Sequence, residues 1–179
     1  MIKVITAALM LSLSMTAVAQ APSPEEIAEW RAAAGQGEAW AQSNLGQMYD
    51  RGDGVPQDSA VAMKWWTKAA EQGYAKAQYN LALMYADGEG VPKDNATAVK
   101  WYTKAAEQGY ADAQLNLGLM YDNGLGVPQD DATAVKWYTK AAEQGVASAQ
   151  ENLAFMYAKG EGVPQDNVMA YMWWNLAAA

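Results

Sequence analysis

The stretch Gly54–Asp58, "GVPQD", returns as "GVPKD" at Gly90–Asp94 and as "GVPQD" at Gly126–Asp130 and Gly162–Asp166, each copy 36 residues after the last. A fixed period of this length constrains the fold more than any other property of the chain. Each copy must be one supersecondary unit that cannot bury its apolar surface alone and stacks on the next. The first half of each unit reads "EAWAQSNLGQMYDRG", "YAKAQYNLALMYADG", "YADAQLNLGLMYDNG" and "VASAQENLAFMYAKG". The second half reads "DSAVAMKWWTKAAEQG", "DNATAVKWYTKAAEQG", "DDATAVKWYTKAAEQG" and "DNVMAYMWWNLAAA". Before the first full unit, Trp30, Ala33, Ala34 and Gly37 keep the register of Trp66, Ala69, Ala70 and Gly73.

Both halves carry helical periodicity. Ala41, Leu45, Met48, Tyr49 and Gly52 fall on one face of the first helix. Ala62, Trp65, Trp66, Ala69 and Ala70 fall on one face of the second. Small residues let helix axes approach, and the Trp and Tyr rings fill the gaps between turns. Gly73, Gly109 and Gly145 are expected to end the second helices in a left-handed cap. The Gly52/Gly54 pair and its copies break the first helix. Pro56 blocks continuation, and Asp58 caps the next helix at its positive end. The expected fold is all-α, a right-handed α-solenoid of roughly nine helices. Its divisions are a signal peptide at 1–19, a half-repeat helix at 20–37, and repeats at 38–73, 74–109, 110–145 and 146–179. The last repeat lacks the usual end of the unit.

The export signal rests on the N-terminal pattern. Lys3 precedes an apolar run, and Ala17-Val18-Ala19 fits a small-x-small cleavage site. As a helix, Val4–Ala19 rises only ~24 Å, short of a ~30 Å hydrocarbon core, so removal is expected rather than anchoring. Losing Lys3 takes the formal charge from −8 to −9. Such an acidic chain has no basic balance for nucleic acid or for an anionic membrane surface, and no later segment reads as a membrane span. A periplasmic or secreted location follows.

The repeat, with "A-x-A-Q-x-N-L-G/A-x-M-Y", "G-x-G-V-P-Q/K-D" and "A-V-K-W-Y-T-K-A-A-E-Q-G", resembles the Sel-one-like repeat (SLR) family, relatives of tetratricopeptide repeats with a longer inter-helix turn. The resemblance covers about Pro24 to Ala179. It implies a scaffold or adaptor that holds proteins together, with extracytoplasmic bacterial members common. Many secreted relatives carry one disulfide per hairpin; this chain has no cysteine, so that source of stability does not carry over. Some cysteine-rich relatives are described as penicillin-binding or β-lactamase-like, and others as immunity-type proteins that neutralise a periplasmic toxin. Cell-wall binding or hydrolysis and toxin immunity are therefore the alternatives to an adaptor.

No residue set carries chemistry. There is no histidine, which removes the Ser-His-acid triad and the commonest metal ligand. No serine has a lysine three residues later, which argues against the β-lactamase-like activity. Asp50, Asp53 and Asp58 hint at calcium spacing, but the copies of this loop lose the ligands one by one, so turn and cap are the better reading. No cofactor, metal or catalytic residue is expected, and the chain reads as a non-enzyme.

Binding residues are sought where the repeat varies. On the first helices the varying positions form one stripe, which in tetratricopeptide-like arrays lines the concave groove. Its expected protein-binding residues are Trp40, Tyr79, Leu83, Leu115, Leu119, Asp122 and Phe155. The same residues have a structural reading, packing between adjacent first helices. Trp40 is the sharpest candidate, since its counterparts are Lys76, Asp112 and Ser148. Covering this floor buries ~300 Å² of apolar surface, roughly 7 kcal/mol before association costs, which sets a micromolar scale for a protein or peptide partner of unknown identity. At the C-terminus Met169, Met172 and Leu176 replace Thr97, Lys100 and Lys104. That end is expected to be covered by a second copy of the chain, by a partner, or by the next helix of a longer protein.

Overall fold

The computed structural model of the protein describes residues 22–179, so the signal expected at 1–19 lies outside the described residues. Among them nine helices follow one another: α1 (Pro24–Gly35), α2 (Ala39–Arg51), α3 (Ser59–Glu71), α4 (Ala75–Asp87), α5 (Asn95–Glu107), α6 (Ala111–Asn123), α7 (Asp131–Glu143), α8 (Ala147–Lys159) and α9 (Asn167–Ala177). The described residues contain no strand. Each helix packs chiefly against the one before and the one after, which makes the fold an α-solenoid.

The recurring turn does two jobs. Gly52, Gly88, Gly124 and Gly160 close the first helices in the left-handed conformation, with φ of 76°, 81°, 64° and 75°. The backbone N–H of Asp58 then donates to the carbonyl of Tyr49 at 2.8 Å, and Asp94, Asp130 and Asp166 do the same to Tyr85, Tyr121 and Tyr157. The same aspartates cap the following helix. Their carboxylates accept from the N–H groups of Val61, Thr97, Thr133 and, at the last cap, both Val168 and Met169. One residue thus ties the end of one helix to the start of the next. The second glycine of the turn serves the stacking of units. At Gly126 and Gly162 a Cβ would overlap the backbone of Asn95 and Asp131, the residues that open α5 and α7 in the preceding unit. The turn is a packing surface, and only glycine fits it.

The seams are filled as the stripes require. Ala41, Leu45 and Met48 of α2 and Ala62, Trp66, Ala69 and Ala70 of α3 are buried, and their counterparts repeat along the array. The aromatic pairs divide. Trp66, Tyr102 and Tyr138 are core residues, whereas Trp65, Trp101 and Trp137 are half-buried on the outer side. Neighbouring residues of a helix point about 100° apart, so both members of a pair cannot face one seam. The outer tryptophans still close the joints. Trp101 packs against the cores of both the α3–α4 and the α5–α6 regions. The ammonium groups of Lys68, Lys104 and Lys140 lie 4.7, 4.3 and 4.5 Å above the rings of Trp65, Trp101 and Trp137.

A glutamine ladder runs through these seams. Gln78, Gln114 and Gln150 are buried and donate their amides to the last-turn carbonyls of Ala70, Ala106 and Ala142 at 3.1, 3.0 and 3.0 Å. The side-chain oxygens of Gln42, Gln78 and Gln114 accept from Gln72, Gln108 and Gln144 at 2.8, 2.7 and 2.7 Å. Each buried glutamine of α4 and α6 therefore joins the end of the preceding second helix to the end of its own unit.

Candidate functional site

The first helices α2, α4, α6 and α8 form one face of the array, and three clefts open along it. One of about 410 Å³ lies between α1, α2 and the start of α4, bounded by Glu26, Trp30, Arg51 and Lys76. The next, of about 380 Å³, lies between α2 and α4, with Tyr79, Leu83 and Met84 in its wall and Tyr110 at its far edge. The last, of about 480 Å³, is formed by Asp122, Glu151, Asn152, Phe155 and Trp174.

The seven expected residues fall into three groups. Tyr79 and Leu83 line the α2–α4 cleft, and Asp122 and Phe155 line the α8 cleft. Phe155 is 46% exposed, with the Lys159 ammonium 4.1 Å above its ring. Leu115 and Leu119 sit between the clefts, half-buried against the α7–α8 core. These two line none of the three clefts and pack between units. Trp40 is 37% exposed near the start of α2 and lines none of the three clefts. The cleft wall on α2 begins one turn further on, at Asn44, and continues at Gln47.

The second helices reach the groove as well, which periodicity alone does not announce. Trp66 lines the α2–α4 cleft from behind and donates its indole N–H to the carbonyl of Ser43 at 3.1 Å. The Tyr102 hydroxyl accepts from Asn116 at 3.2 Å, and the Tyr138 hydroxyl donates to Asp122 at 3.0 Å. These rings are large enough to span the seam and present a polar tip on the other side. The recurrence of Trp, Tyr, Tyr and Trp at 66, 102, 138 and 174 is the sequence signal for them. Tyr110 follows from its contact with Tyr79, the ring centroids 5.1 Å apart.

The groove is electrostatically uneven. Burial pushes the Asp50 carboxyl up, Glu89 beside it pushes it further, and Arg51 offsets part of the effect. Burial and then the Asp112 carboxylate raise the phenols of Tyr79 and Tyr110. Burial also holds the Tyr102 and Tyr138 phenols well above the ordinary range, Asp122 adding to the effect at Tyr138. These phenols stay protonated at neutral pH and act only as hydrogen-bond partners. Among the described residues no group of three acidic side chains gathers as metal ligands do.

Comparison with known proteins agrees with this architecture. The Sel1 repeat family matches at residues 41–74, 75–110, 111–146 and 147–179. Among solved structures, a protective antigen present in uropathogenic Escherichia coli strains, described as displaying an SLR fold, is 48% identical. The match covers 85% of this chain and 32% of that one, with a TM-score of 0.83. A Sel1 repeat protein from Oxalobacter formigenes is 43% identical over 85% of this chain and 44% of its own, with a TM-score of 0.78. Cysteine rich protein B of Helicobacter pylori is 26% identical over 69% of this chain and 93% of its own, with a TM-score of 0.54. This chain therefore spans about a third of the first relative and under half of the second. No curated protein matches it significantly. Four matched repeats stacked in one solenoid, with close structural likeness at 43–48% identity, lead to one conclusion: the chain belongs to the Sel1 repeat family.

Proposed function

We propose that this protein is an exported, non-enzymatic adaptor that takes a segment of a partner protein in the groove formed by α2, α4, α6 and α8. Sel1-repeat proteins are protein-interaction scaffolds, which is the coarse form of the same statement. The observation that carries the finer form is the distribution of open apolar surface. The first-helix face keeps Tyr79, Leu83 and Phe155 around clefts wide enough for side chains, whereas the clefts on the outer helices are bounded by Trp65 and Trp101, whose rings Lys68 and Lys104 already cover. Export to the periplasm or beyond is supported by the N-terminal pattern of residues 1–19. Among the described residues no helix is long and apolar enough to cross a membrane.

The test is a pull-down from the periplasmic fraction with wild type and Phe155→Glu. A second variant carries Leu115→Glu with Leu119→Glu, which lies deeper and carries a stability cost. Partner recovery is expected to fall in both, with helicity by circular dichroism near wild type in Phe155→Glu. Undiminished recovery with folded Phe155→Glu contradicts the groove as the binding face.

A second reading concerns α9. Tyr171 and Trp174 are 68% and 44% exposed, whereas Val135 and Tyr138 at the same repeat positions are 7% and 0% exposed beneath the next unit. Val168, Met172 and Leu176 extend this apolar surface. A second copy of the chain is the proposed cover. Sedimentation over a range of concentrations is expected to show self-association that Tyr171→Glu with Trp174→Glu abolishes. A monomer at all concentrations contradicts it.

A further inference from the structure

The charges of the array are unevenly distributed. Six lysines, Lys64, Lys68, Lys100, Lys104, Lys136 and Lys140, stand exposed on the outer helices α3, α5 and α7, against the four acids Glu71, Glu107, Asp131 and Glu143. The groove face carries the opposite sign: Asp50, Asp87, Glu89, Asp112, Asp122 and Glu151 outnumber Arg51, Lys76 and Lys159 by six to three. The three groove cations do not neutralise this set. Among the described residues the one ion pair within 4.0 Å joins Lys159 to Glu161, and Lys76 donates to Gln47 at 2.9 Å.

The α2–α4 cleft concentrates the pattern. Asp50, Asp87 and Glu89, three carboxylates to the two cations Arg51 and Lys76, surround an aromatic and aliphatic wall of Tyr79, Tyr110, Leu83 and Met84. The Tyr79 and Tyr110 rings are tilted by 37°, and Asp112 acts on both. An aliphatic stem ending in a cation fits such a wall. The stem lies on Leu83 and Met84, and the charged head lies between the ring faces and the carboxylates. A carboxylate or phosphate in the same place meets three carboxylates against the two cations of the lining.

We propose that the partner segment bound in this groove is cationic, with an arginine or lysine side chain seated over Tyr79 and Tyr110 among Asp50, Asp87 and Glu89. This rests on the groove being the binding face. The groove face carries a net excess of acids and the outer helices a small excess of lysines, so the difference in field favours the groove side for such a segment. A cation there also relieves the crowding of Asp50 and Glu89 described above.

The experiment is an NMR titration of the described chain with an acetylated, amidated hexapeptide of alternating leucine and arginine. Two controls replace every arginine by uncharged citrulline or by glutamate. The arginine peptide is expected to shift the backbone amides of Tyr79, Leu83 and Tyr110 and to bind about tenfold more tightly than the citrulline peptide. That advantage is expected to disappear in Asp87→Asn with Glu89→Gln, both exposed positions whose replacement leaves the core intact. Equal binding of the citrulline peptide at the same amides overturns the cationic preference and leaves the groove as binding face. Tighter binding of the glutamate peptide there has the same meaning. Shifts confined to α3, α5 and α7 overturn both readings. No binding of any peptide overturns the cationic proposal, while loss of the natural partner in Phe155→Glu upholds the groove independently.

Discussion

At the scale of single residues, the buried glutamines explain an identity that helix periodicity leaves unaccounted for. A glutamine within a helix reads as solvated, and nothing in the 36-residue pattern says that Gln78, Gln114 and Gln150 donate to the ends of α3, α5 and α7. The reason emerges only when units are stacked: the last carbonyls of each second helix are buried by the next unit and need donors. Replacing Gln114 by leucine keeps the volume but leaves the Ala106 carbonyl and the Gln144 amide without this partner. The expected cost is roughly 1–3 kcal/mol, read from chemical denaturation. A midpoint unchanged from wild type contradicts the ladder as a structural element. Trp40 illustrates the same limit at the surface. Its register places it in the variable stripe, yet whether a side chain meets a cleft depends on the neighbouring unit, and the clefts open further along α2.

At the scale of elements, caps and turns were the most legible part of the chain, because their chemistry is local. Asp58, Asp94, Asp130 and Asp166 cap their helices as Pro-x-Asp before an apolar stripe predicts. For Asp94 and Asp130 the hydroxyls of Thr97 and Thr133, and then the backbone N–H groups of the same residues, hold the carboxyls below their ordinary value of 3.8. A carboxyl depressed in the folded state stabilises fully above its unfolded value, and that contribution is lost as pH falls through the lower folded value. Asp94→Asn with Asp130→Asn retains a capping side chain and removes the charge. Its melting temperature is expected to lie below wild type at neutral pH, with the gap closing in acid beneath the ordinary carboxylate range. A gap independent of pH contradicts the charged cap. The aromatic pairs were only half legible: periodicity marks both members as apolar, and packing decides that Trp66 goes inside while Trp65 lies under Lys68.

At the scale of the molecule, the repeat made the solenoid readable before any coordinate, since a 36-residue unit with two apolar stripes must stack. The groove was less readable. Leu115 and Leu119 of its expected floor pack into an inter-unit seam, and part of the wall of its clefts comes from Trp66 and Trp174 on second helices. The central claim is that this face, and not the lysine-bearing outer face, holds the partner. Site-specific photocrosslinking tests it most directly, with a benzophenone side chain placed in turn at Leu83, Phe155, Lys100 and Lys136 of the full chain. One partner species captured at Leu83 and Phe155, and absent at Lys100 and Lys136, is the result this account predicts. Capture of that species at the two lysine positions, with none at Leu83 or Phe155, would contradict it.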